Sequence, residues 1–239
     1  MRILQITDIH INKLFELTNQ VNVIANFSAV LDSGMEYKPD LVVLTGDLGH
    51  NDLQIDVYQW IKEQLQGRGV PFRVIGGNHD NASMLVDVFG DVQGTKLYFT
   101  YRVGNFKILF LDTIHGQVDD EQLEWLKEEI KEDITAIFMH YPPFLSGIPH
   151  MDTKYAMQQR TSFLDVLFGV NQRFRIFTGH YHTERVIEYE NVSVYITPST
   201  FVQISDKTLE FTPDHYKPAY RMLEWDGGTF KTWVRYLGM

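Results

Sequence analysis

The chain has 239 residues, of which 44% are hydrophobic and 22% are charged, and this balance predicts a folded globular protein of one domain or at most two. Because it contains no cysteine, disulfides, a thiol nucleophile and a zinc–thiolate site are excluded, and any metal must be bound by His, Asp, Glu, Asn or water. The formal net charge of −10 argues against a long nucleic acid as the usual ligand and leaves a small anionic substrate open.

Apolar runs of strand length alternate along the chain with amphipathic stretches of helix length, a pattern that predicts an α/β protein. In chain order, the pattern predicts a strand at 2–7, a helix at 21–36, a strand at 41–45, a helix at 53–66, a strand at 71–75, a hairpin over 96–111, a helix at 119–133, a strand at 134–140, a helix near 157–170 and a strand at 173–180. Strands with an antiparallel appearance follow from 184 to 236. No repeat, low-complexity tract or linker interrupts the sequence, so we expect a single domain over 1–239.

The sequence has neither the pattern of a secretion signal nor that of a membrane span. It opens MRILQITDIH, where a strand pattern begins almost at the first residue, without a basic segment followed by a long apolar one. No run reaches the roughly 18 apolar residues that a membrane helix needs. We therefore expect a cytoplasmic protein with no membrane partner.

Polar clusters follow five of the predicted strands, each at the point where the strand ends. They are Asp8 with His10; Asp47; Asn78 with His79 and Asp80; His140; and His180 with His182. In open α/β sheets, ligands bind beyond the carboxyl ends of the strands, so we expect the clusters to meet at one edge. Within each pair, Asp8 and His10 or His180 and His182 project to the same side if strand geometry persists through them.

Glycines accompany these clusters, and they are Gly46, Gly76, Gly77 and Gly179. Glycine permits the backbone angles of sharp turns and lets the backbone approach a bound group closely.

Taken singly, each cluster is more often structural than functional, as a capping pair, a turn or an Asx-turn. The combination favours a site, because five of the nine histidines lie at these strand ends. For the other histidines we favour a structural or surface role; they are His50, His115, His150 and His215.

The clusters contain ligand types that suit a pair of metal ions. The candidates are Asp8, His10, Asp47, Asn78, His140, His180 and His182. They are too many for one tetrahedral metal and suit two ions that share a carboxylate. Nitrogen and oxygen ligands without sulfur favour Mn, Fe, Zn or Co over Ca or Cu(I), and the choice among the four stays open.

In their order and spacing, the motifs D-I-H at 8–10, G-D at 46–47, G-N-H-D at 77–80, H at 140 and G-H-Y-H at 179–182 resemble the complete signature of the calcineurin-like metallophosphoesterases. The resemblance implies a four-layer αββα sandwich, with two mixed sheets face to face and helices outside. It also implies the ligands of each ion. One ion would take Asp8, His10, Asp47 and His182, and the other Asp47, Asn78, His140 and His180.

The same resemblance implies a chemistry. Two ions bridged by Asp47 would activate a shared hydroxide for in-line attack on phosphorus, with Asn78 helping to stabilise the phosphoryl oxygens. His79 would be the proton donor to the leaving oxygen, with Asp80 as the partner that orients it.

Further segments are similar to those of bacterial class III cyclic-nucleotide phosphodiesterases: DDEQLEWL at 119–126, HYPP at 140–143, Met151 with Asp152, TPSTFVQ at 197–203 and KPAYRMLEW at 217–225. The resemblance implies a small phosphodiester substrate, first of all 3′,5′-cyclic AMP, and makes a homodimer plausible. Leu123, Trp125, Tyr220 and Arg221 in these segments could equally be packing residues. Tyr141 and the run 156–158 depart from the pattern, which bears on base preference.

Several alternatives stay open. A broad phosphomonoesterase or a glycerophosphodiesterase could use the same site, and a non-catalytic binding module of the same fold is a weaker option. Residues 141–162, the longest irregular stretch, could form a wall or lid of the substrate pocket or an oligomer contact. A nuclease is disfavoured because no basic groove is evident.

Overall fold

The computed structural model describes residues 1–50 and 55–238 and contains two mixed β-sheets flanked by helices. The five-stranded sheet comprises β1 (Arg2–Ile6), β2 (Leu41–Thr45), β3 (Phe72–Ile75), β12 (Ala219–Asp226) and β13 (Thr229–Tyr236). The six-stranded sheet comprises β4 (Phe99–Val103), β5 (Phe106–Phe110), β6 (Ala136–Phe138), β7 (Phe174–Thr178), β8 (Arg185–Tyr189) and β9 (Val192–Ile196). The short strands β10 (Gln203–Ile204) and β11 (Pro213–His215) pair with each other.

The described helices are α1 (Val23–Met35), α2 (Ile55–Gln66), α3 (Ala82–Gln93), α4 (Asp120–Glu129), α5 (Pro149–Lys154) and α6 (Arg160–Phe168). No helix in the described ranges combines the length and hydrophobicity that crossing a bilayer requires.

Strand alternation divides the hydrophobic core into layers. Successive side chains of a strand point to opposite faces, so Ile3 and Leu4 of β1 enter different clusters. The cluster between the sheets contains Ile3, Leu41, Val43, Ile75, Ile108, Phe110, Phe138 and Phe177. The outer face of each sheet packs on helices: Leu4 shares a cluster with residues of α1 and α2, and Leu109 shares one with residues of α4 and α6. The four-layer αββα fold expected from the sequence is confirmed.

The parallel strands of both sheets direct their carboxyl ends toward the candidate site. β1, β2 and β3 are parallel neighbours in one sheet, and β5, β6 and β7 are parallel neighbours in the other. The expected antiparallel run from 184 to 236 is only partly right. β8 pairs antiparallel with β9 and β12 with β13, but β9 runs parallel to β7, and β12 belongs to the other sheet.

Two helices were not predicted from the sequence. α3 begins directly after the GNHD turn, where the side chain of Asn81 accepts a hydrogen bond from Met84 N, and it buries Leu85, Val88 and Phe89. α5 lies within the stretch expected to be irregular, and its 6 residues are too few to show a helical period. Of the helix predicted at 53–66, residues 53 and 54 lie outside the described residues, and the remainder is helical as expected.

Candidate active site

All the predicted strand-end clusters lie at one edge of the molecule. Asp8 follows β1, Asp47 follows β2, Asn78 follows β3, His140 follows β6 and His180 follows β7. A cavity of ≈ 450 Å³ lies among these strand ends. Residues of the clusters line it, including Asp47, Asn78, His79 and His180. The convergence expected from the strand topology is therefore present.

One group of four buried side chains places its ligand atoms within 4.8 Å of one another, and its members are Asp8, His10, Asp47 and His182. His182 Nε2 lies 3.3 Å from Asp8 Oδ1, and His10 Nε2 lies 3.6 Å from Asp47 Oδ2. The Nε2 atoms of the two histidines are 3.0 Å apart. Two imidazole nitrogens and two carboxylates that converge in this way suit a divalent cation.

A second group shares Asp47 with the first. Asp47, His140 and His180 also hold ligand atoms within 4.8 Å of one another, with His140 Nε2 at 3.4 Å from Asp47 Oδ2. Asn78 is exposed on the rim of the same cavity. A carboxylate common to two groups is the arrangement that a pair of ions needs.

The buried His140 ring has the environment of a metal ligand. Its Nδ1–H donates to the carbonyl of Thr45 at 2.7 Å, so Nε2 carries the lone pair. That Nε2 atom is buried and has no hydrogen-bond partner among the described residues, and it faces Asp47. An unpaired buried acceptor beside a carboxylate is costly unless a cation lies between them, so the residues fit a metal at this position.

Backbone carbonyls orient the two histidines of the GHYH segment in the same manner. His182 Nδ1 bonds to the carbonyl of Val202 at 2.8 Å, and His180 Nε2 bonds to the carbonyl of Tyr155 at 3.0 Å. Because a carbonyl only accepts, each of these nitrogens carries the proton. His182 therefore presents Nε2 to the cluster, whereas His180 presents Nδ1.

Five of the predicted ligands have left-handed backbone angles, with φ of 54° at Asp8, 54° at His10, 52° at Asp47, 66° at His180 and 49° at His182. Strand geometry therefore does not continue through Asp8 and His10 or through His180 and His182. The alternation of side chains along a strand is thus not what brings the two members of each pair together. Such angles cost about 1–3 kcal/mol per residue outside glycine and persist only where the surroundings impose them. They bend each loop so that the side chains turn into the site.

The glycines beside these residues mainly leave room for neighbouring side chains, and only Gly46 among them adopts a positive φ angle. Gly46 has φ of 96°, whereas Gly77 and Gly179 have ordinary angles. A Cβ on Gly77 would overlap the carboxylate of Asp47, and one on Gly179 would overlap that of Asp8. Both positions need glycine because other side chains occupy the place of the missing Cβ, the carboxylate of Asp47 at Gly77 and the Thr7 hydroxyl with the Asp8 carboxylate at Gly179.

The electrostatics of the cluster keep its carboxylates ionised. Burial alone would raise the pKa of Asp47, but His140 and His10 hold it well below its usual range. Burial opposes the charged form of His140, yet the Asp47 carboxylate outweighs it and raises the pKa of His140 to about 9. The raised pKa means that a proton on His140 Nε2 pairs with Asp47 until a metal cation displaces it, and the neutral ring then offers its lone pair.

His79 extends from the GNHD turn into the cavity. Its backbone N–H donates to Asp47 Oδ1 at 2.9 Å, and its Nδ1 bonds to the carbonyl of His50 at 2.8 Å. Since that carbonyl fixes the proton on Nδ1, Nε2 is the nitrogen free to exchange a proton. The expectation that Asp80 orients His79 is wrong, because the carbonyl of His50 has that role.

Asp80 instead ties the loops after β2 and β3 together. Its carboxylate accepts hydrogen bonds from the backbone N–H groups of Leu48, Gly49 and Gly77, and from the hydroxyl of Tyr58 at 3.0 Å. Burial, with the nearby Asp47, raises the pKa of Asp80 to about 6 against these backbone donors. Asp80 thereby stabilises the turn from which Asn78 and His79 project.

His50 belongs to the site, although the sequence favoured a structural or surface role for it. Its ring stacks on that of His79 with 5.7 Å between centroids and 4° between planes, and its Nδ1 lies 3.4 Å from Nδ1 of His10. The signal in the sequence is its position, three residues beyond Asp47 in the same loop. His150 also lines the cavity, whereas His115 and His215 do not.

The TPSTFVQ segment at 197–203 packs against the backbone of the Asp8 loop. Ser199 Oγ donates to the backbone carbonyl of Asp8 at 2.8 Å, and Gln203 bonds in turn to both backbone groups of Ser199. In the late strand, Arg221 is buried and bonds to Thr197 Oγ1 at 3.0 Å. These contacts give both motifs a structural role.

The remaining cavity wall is largely apolar. Helix α5 and its C-cap contribute His150, Met151 and Tyr155, which places part of 141–162 in the wall. The cavity is also lined by Phe201, Val202, Ile204 and Phe211. It thus combines metal-ligand side chains with aromatic and aliphatic ones.

Comparison with known proteins gives matches along most of the chain. Residues 1–184 match the family model described as calcineurin-like phosphoesterase. A protein of Fibrobacter succinogenes named probable cyclic nucleotide phosphodiesterase is 34% identical, covering 98% of this chain and 93% of that protein. The 3′,5′-cyclic adenosine monophosphate phosphodiesterase CpdA of Escherichia coli K12 is 29% identical, covering 99% and 90%. A probable glycerophosphodiester phosphodiesterase GpdQ of Arcobacter nitrofigilis is 29% identical, covering 86% and 80%.

Among solved structures, a dimetal phosphatase from Danio rerio has the same fold, with a TM-score of 0.64 at 12% sequence identity. The match covers 93% of this chain and 95% of that one.

Proposed function

The chain belongs to the calcineurin-like phosphoesterase family and is a metal-dependent phosphoester hydrolase, and we propose that its substrate is 3′,5′-cyclic AMP. The names of two relatives that align with nearly the whole chain support a cyclic nucleotide. The lining of the cavity supports it independently, since the metal-ligand side chains suit a phosphoryl group and the aromatic and aliphatic side chains suit an apolar moiety.

We propose that two divalent ions, among Mn, Fe, Zn or Co, are held by the two groups that share Asp47. The ligands are Asp8, His10, Asp47 and His182 for one ion, and Asp47, Asn78, His140 and His180 for the other. Bound there, the ions would polarise the phosphoryl oxygens and activate water. The side-chain amide of Asn78, on the rim, would donate to a non-bridging oxygen of the substrate.

We propose that His79 donates the proton that the leaving oxygen needs. Its ring lines the cavity, its Nδ1 is bonded to the carbonyl of His50, and its backbone is held on Asp47. These contacts restrict rotation of the ring and leave Nε2 as the nitrogen that can exchange a proton with a substrate in the cavity. Protonation of a departing alkoxide by a positioned histidine contributes about 10²–10⁴-fold.

The observation that most favours a phosphodiester substrate over a phosphomonoester is the charge of the cavity wall. Among the described residues, no lysine or arginine lines the cavity. A phosphomonoester dianion carries a second negative charge that no lysine or arginine of the cavity wall would neutralise, whereas a diester carries one charge and a second apolar or sugar substituent. The aromatic side chains of the cavity suit that substituent.

A glycerophosphodiester is the second candidate, favoured by the relative from Arcobacter nitrofigilis with that name. The same ligands and the same proton donor would serve it. A non-catalytic binding module is disfavoured because all seven ligand positions carry residues that bind metals.

The test compares kcat/KM of Mn²⁺-reconstituted protein on cyclic AMP, glycerophosphoethanolamine and 5′-AMP. We expect cyclic AMP to be cleaved at least tenfold better than the other two. Preference for glycerophosphoethanolamine would replace the proposed substrate by the second candidate, and preference for 5′-AMP would contradict a diesterase.

The single domain over 1–239, the cytoplasmic location and the homodimer stay predictions. Sedimentation of the purified protein at micromolar concentration would test the dimer.

A further inference from the structure

Three aromatic rings that line the cavity belong to neither metal-ligand group, and we call Tyr155, His150 and Phe211 the aromatic rim. The His150 ring lies 5.4 Å from that of Tyr155 and 5.9 Å from that of Phe211, measured between centroids. His150 is buried, whereas Tyr155 is 46% exposed and Phe211 is 53% exposed. Two large aromatic side chains therefore present open ring surface at the mouth of a cavity, where a ligand can cover them.

The aromatic rim is held in place from both sides. His150 Nδ1 bonds to the carbonyl of Leu209 at 3.0 Å, and Lys154 forms an ion pair with Glu210 at 3.0 Å. Both contacts join α5 to the segment that carries Phe211. The rings thus share one frame, which reduces the entropy lost when a ligand orders them.

The rim is also joined to the metal-ligand group. The carbonyl of Tyr155 orients His180 through the 3.0 Å bond to its Nε2. The residue whose ring forms part of the mouth therefore positions a proposed ligand with its backbone. A molecule with a phosphoryl group at the ligands lies next to the rim.

We propose that the aromatic rim is the subsite for the planar heteroaromatic base of a nucleotide, an inference that rests on the proposed function. Base stacking on an aromatic side chain strengthens binding by roughly 5- to 150-fold per base. A glycerol or ethanolamine substituent has no π-face and gains nothing comparable. Hydrogen-bonding side chains that line the same cavity are available for the base edges: those of His150, Tyr155 and Asn19.

The test uses inhibition of bis(4-nitrophenyl) phosphate hydrolysis by the Mn²⁺-loaded protein. The probes are 5′-AMP and ribose 5-phosphate, which differ only in the base, and each Ki is corrected for the KM of the variant. We expect Phe211→Ala and Tyr155→Ala each to raise the Ki of 5′-AMP about tenfold while the Ki of ribose 5-phosphate stays within twofold. Phe211→Tyr, which keeps a ring, should restore the tighter Ki.

Tyr189→Ala is the matched control, because Tyr189 is 57% exposed on β8 and does not line the cavity. An equal rise of both Ki values in Phe211→Ala, or no rise in either, would overturn the subsite. A change of oligomeric state without a change in the Ki of 5′-AMP would assign the rim to an interface between copies and equally overturn it.

Failure of the base subsite and failure of the proposed cyclic AMP substrate would give different results. Wild-type protein that does not cleave cyclic AMP, yet shows the rim-dependent Ki of 5′-AMP, would retain the subsite and lose the substrate. Cleavage of cyclic AMP with unchanged Ki values in both variants would retain the substrate and reject the subsite.

Discussion

Replacing His79 by alanine should separate proton donation from metal binding. The bond from this residue to Asp47 is made by the backbone N–H at 2.9 Å, so His79→Ala keeps it and the metal-ligand groups stay in place. What is lost is the imidazole, and with it the proton for the leaving group. We expect kcat on cyclic AMP, whose leaving group is an alkoxide, to fall by about 10²–10⁴-fold.

The assay compares two leaving groups at equal metal occupancy. Nitrophenolate is stable as an anion and needs little protonation, so kcat on bis(4-nitrophenyl) phosphate should fall far less than kcat on cyclic AMP. The control is His115→Ala, which removes an exposed histidine that does not line the cavity. Equal losses on the two substrates at unchanged metal content would refute the role of His79 as proton donor.

The remaining predictions concern the ligands and the turn that holds them. Asp47→Asn removes the carboxylate common to both ligand groups, so calorimetry should show weakened binding of both Mn²⁺ ions, and loss of only one would contradict the sharing. Gly77→Ala places a Cβ on the Asp47 carboxylate, and we expect at least tenfold weaker Mn²⁺ affinity with an unchanged circular dichroism spectrum; unchanged affinity would show that the carboxylate relaxes. Tyr58→Phe removes the hydroxyl that bonds to Asp80 and accepts from the Asn81 N–H, so the free energy of unfolding in urea should fall by about 1–3 kcal/mol; no fall would mean that water replaces the hydroxyl.

The fold and the location of the site follow from features that a sequence displays. The run LVVLT at 41–45 has the continuous apolar character of a strand buried on both faces, and it forms β2. Asp47 and Asn78 follow parallel neighbours in one sheet, and His140 and His180 do so in the other. Strand topology alone then brings residues distant in sequence to one edge.

The internal geometry of the site depends on contacts between loops, which periodicity does not report. Asp8 and His182 have left-handed angles, which Asp and His adopt more often than most residues, but the residue type alone does not predict where they occur. Asp80 was expected at His79 because the two are adjacent in sequence, yet its carboxylate satisfies backbone donors after β2. His50 reaches the site through the same loop.

The parallel pairing of β9 with β7 was missed for a related reason. Strand direction is set by the chain path between the strands, and β8 lies between them in sequence while pairing on the far side of β9. The helix α5 was missed because six residues are less than two turns.

The two-metal site is tested most directly by following cyclic AMP hydrolysis as Mn²⁺ is returned to chelator-treated protein, with bound Mn²⁺ measured in the same samples. We expect no turnover without metal and full turnover when two equivalents are bound. Two bound equivalents without hydrolysis of cyclic AMP, or hydrolysis that persists in the metal-free protein, would contradict this expectation.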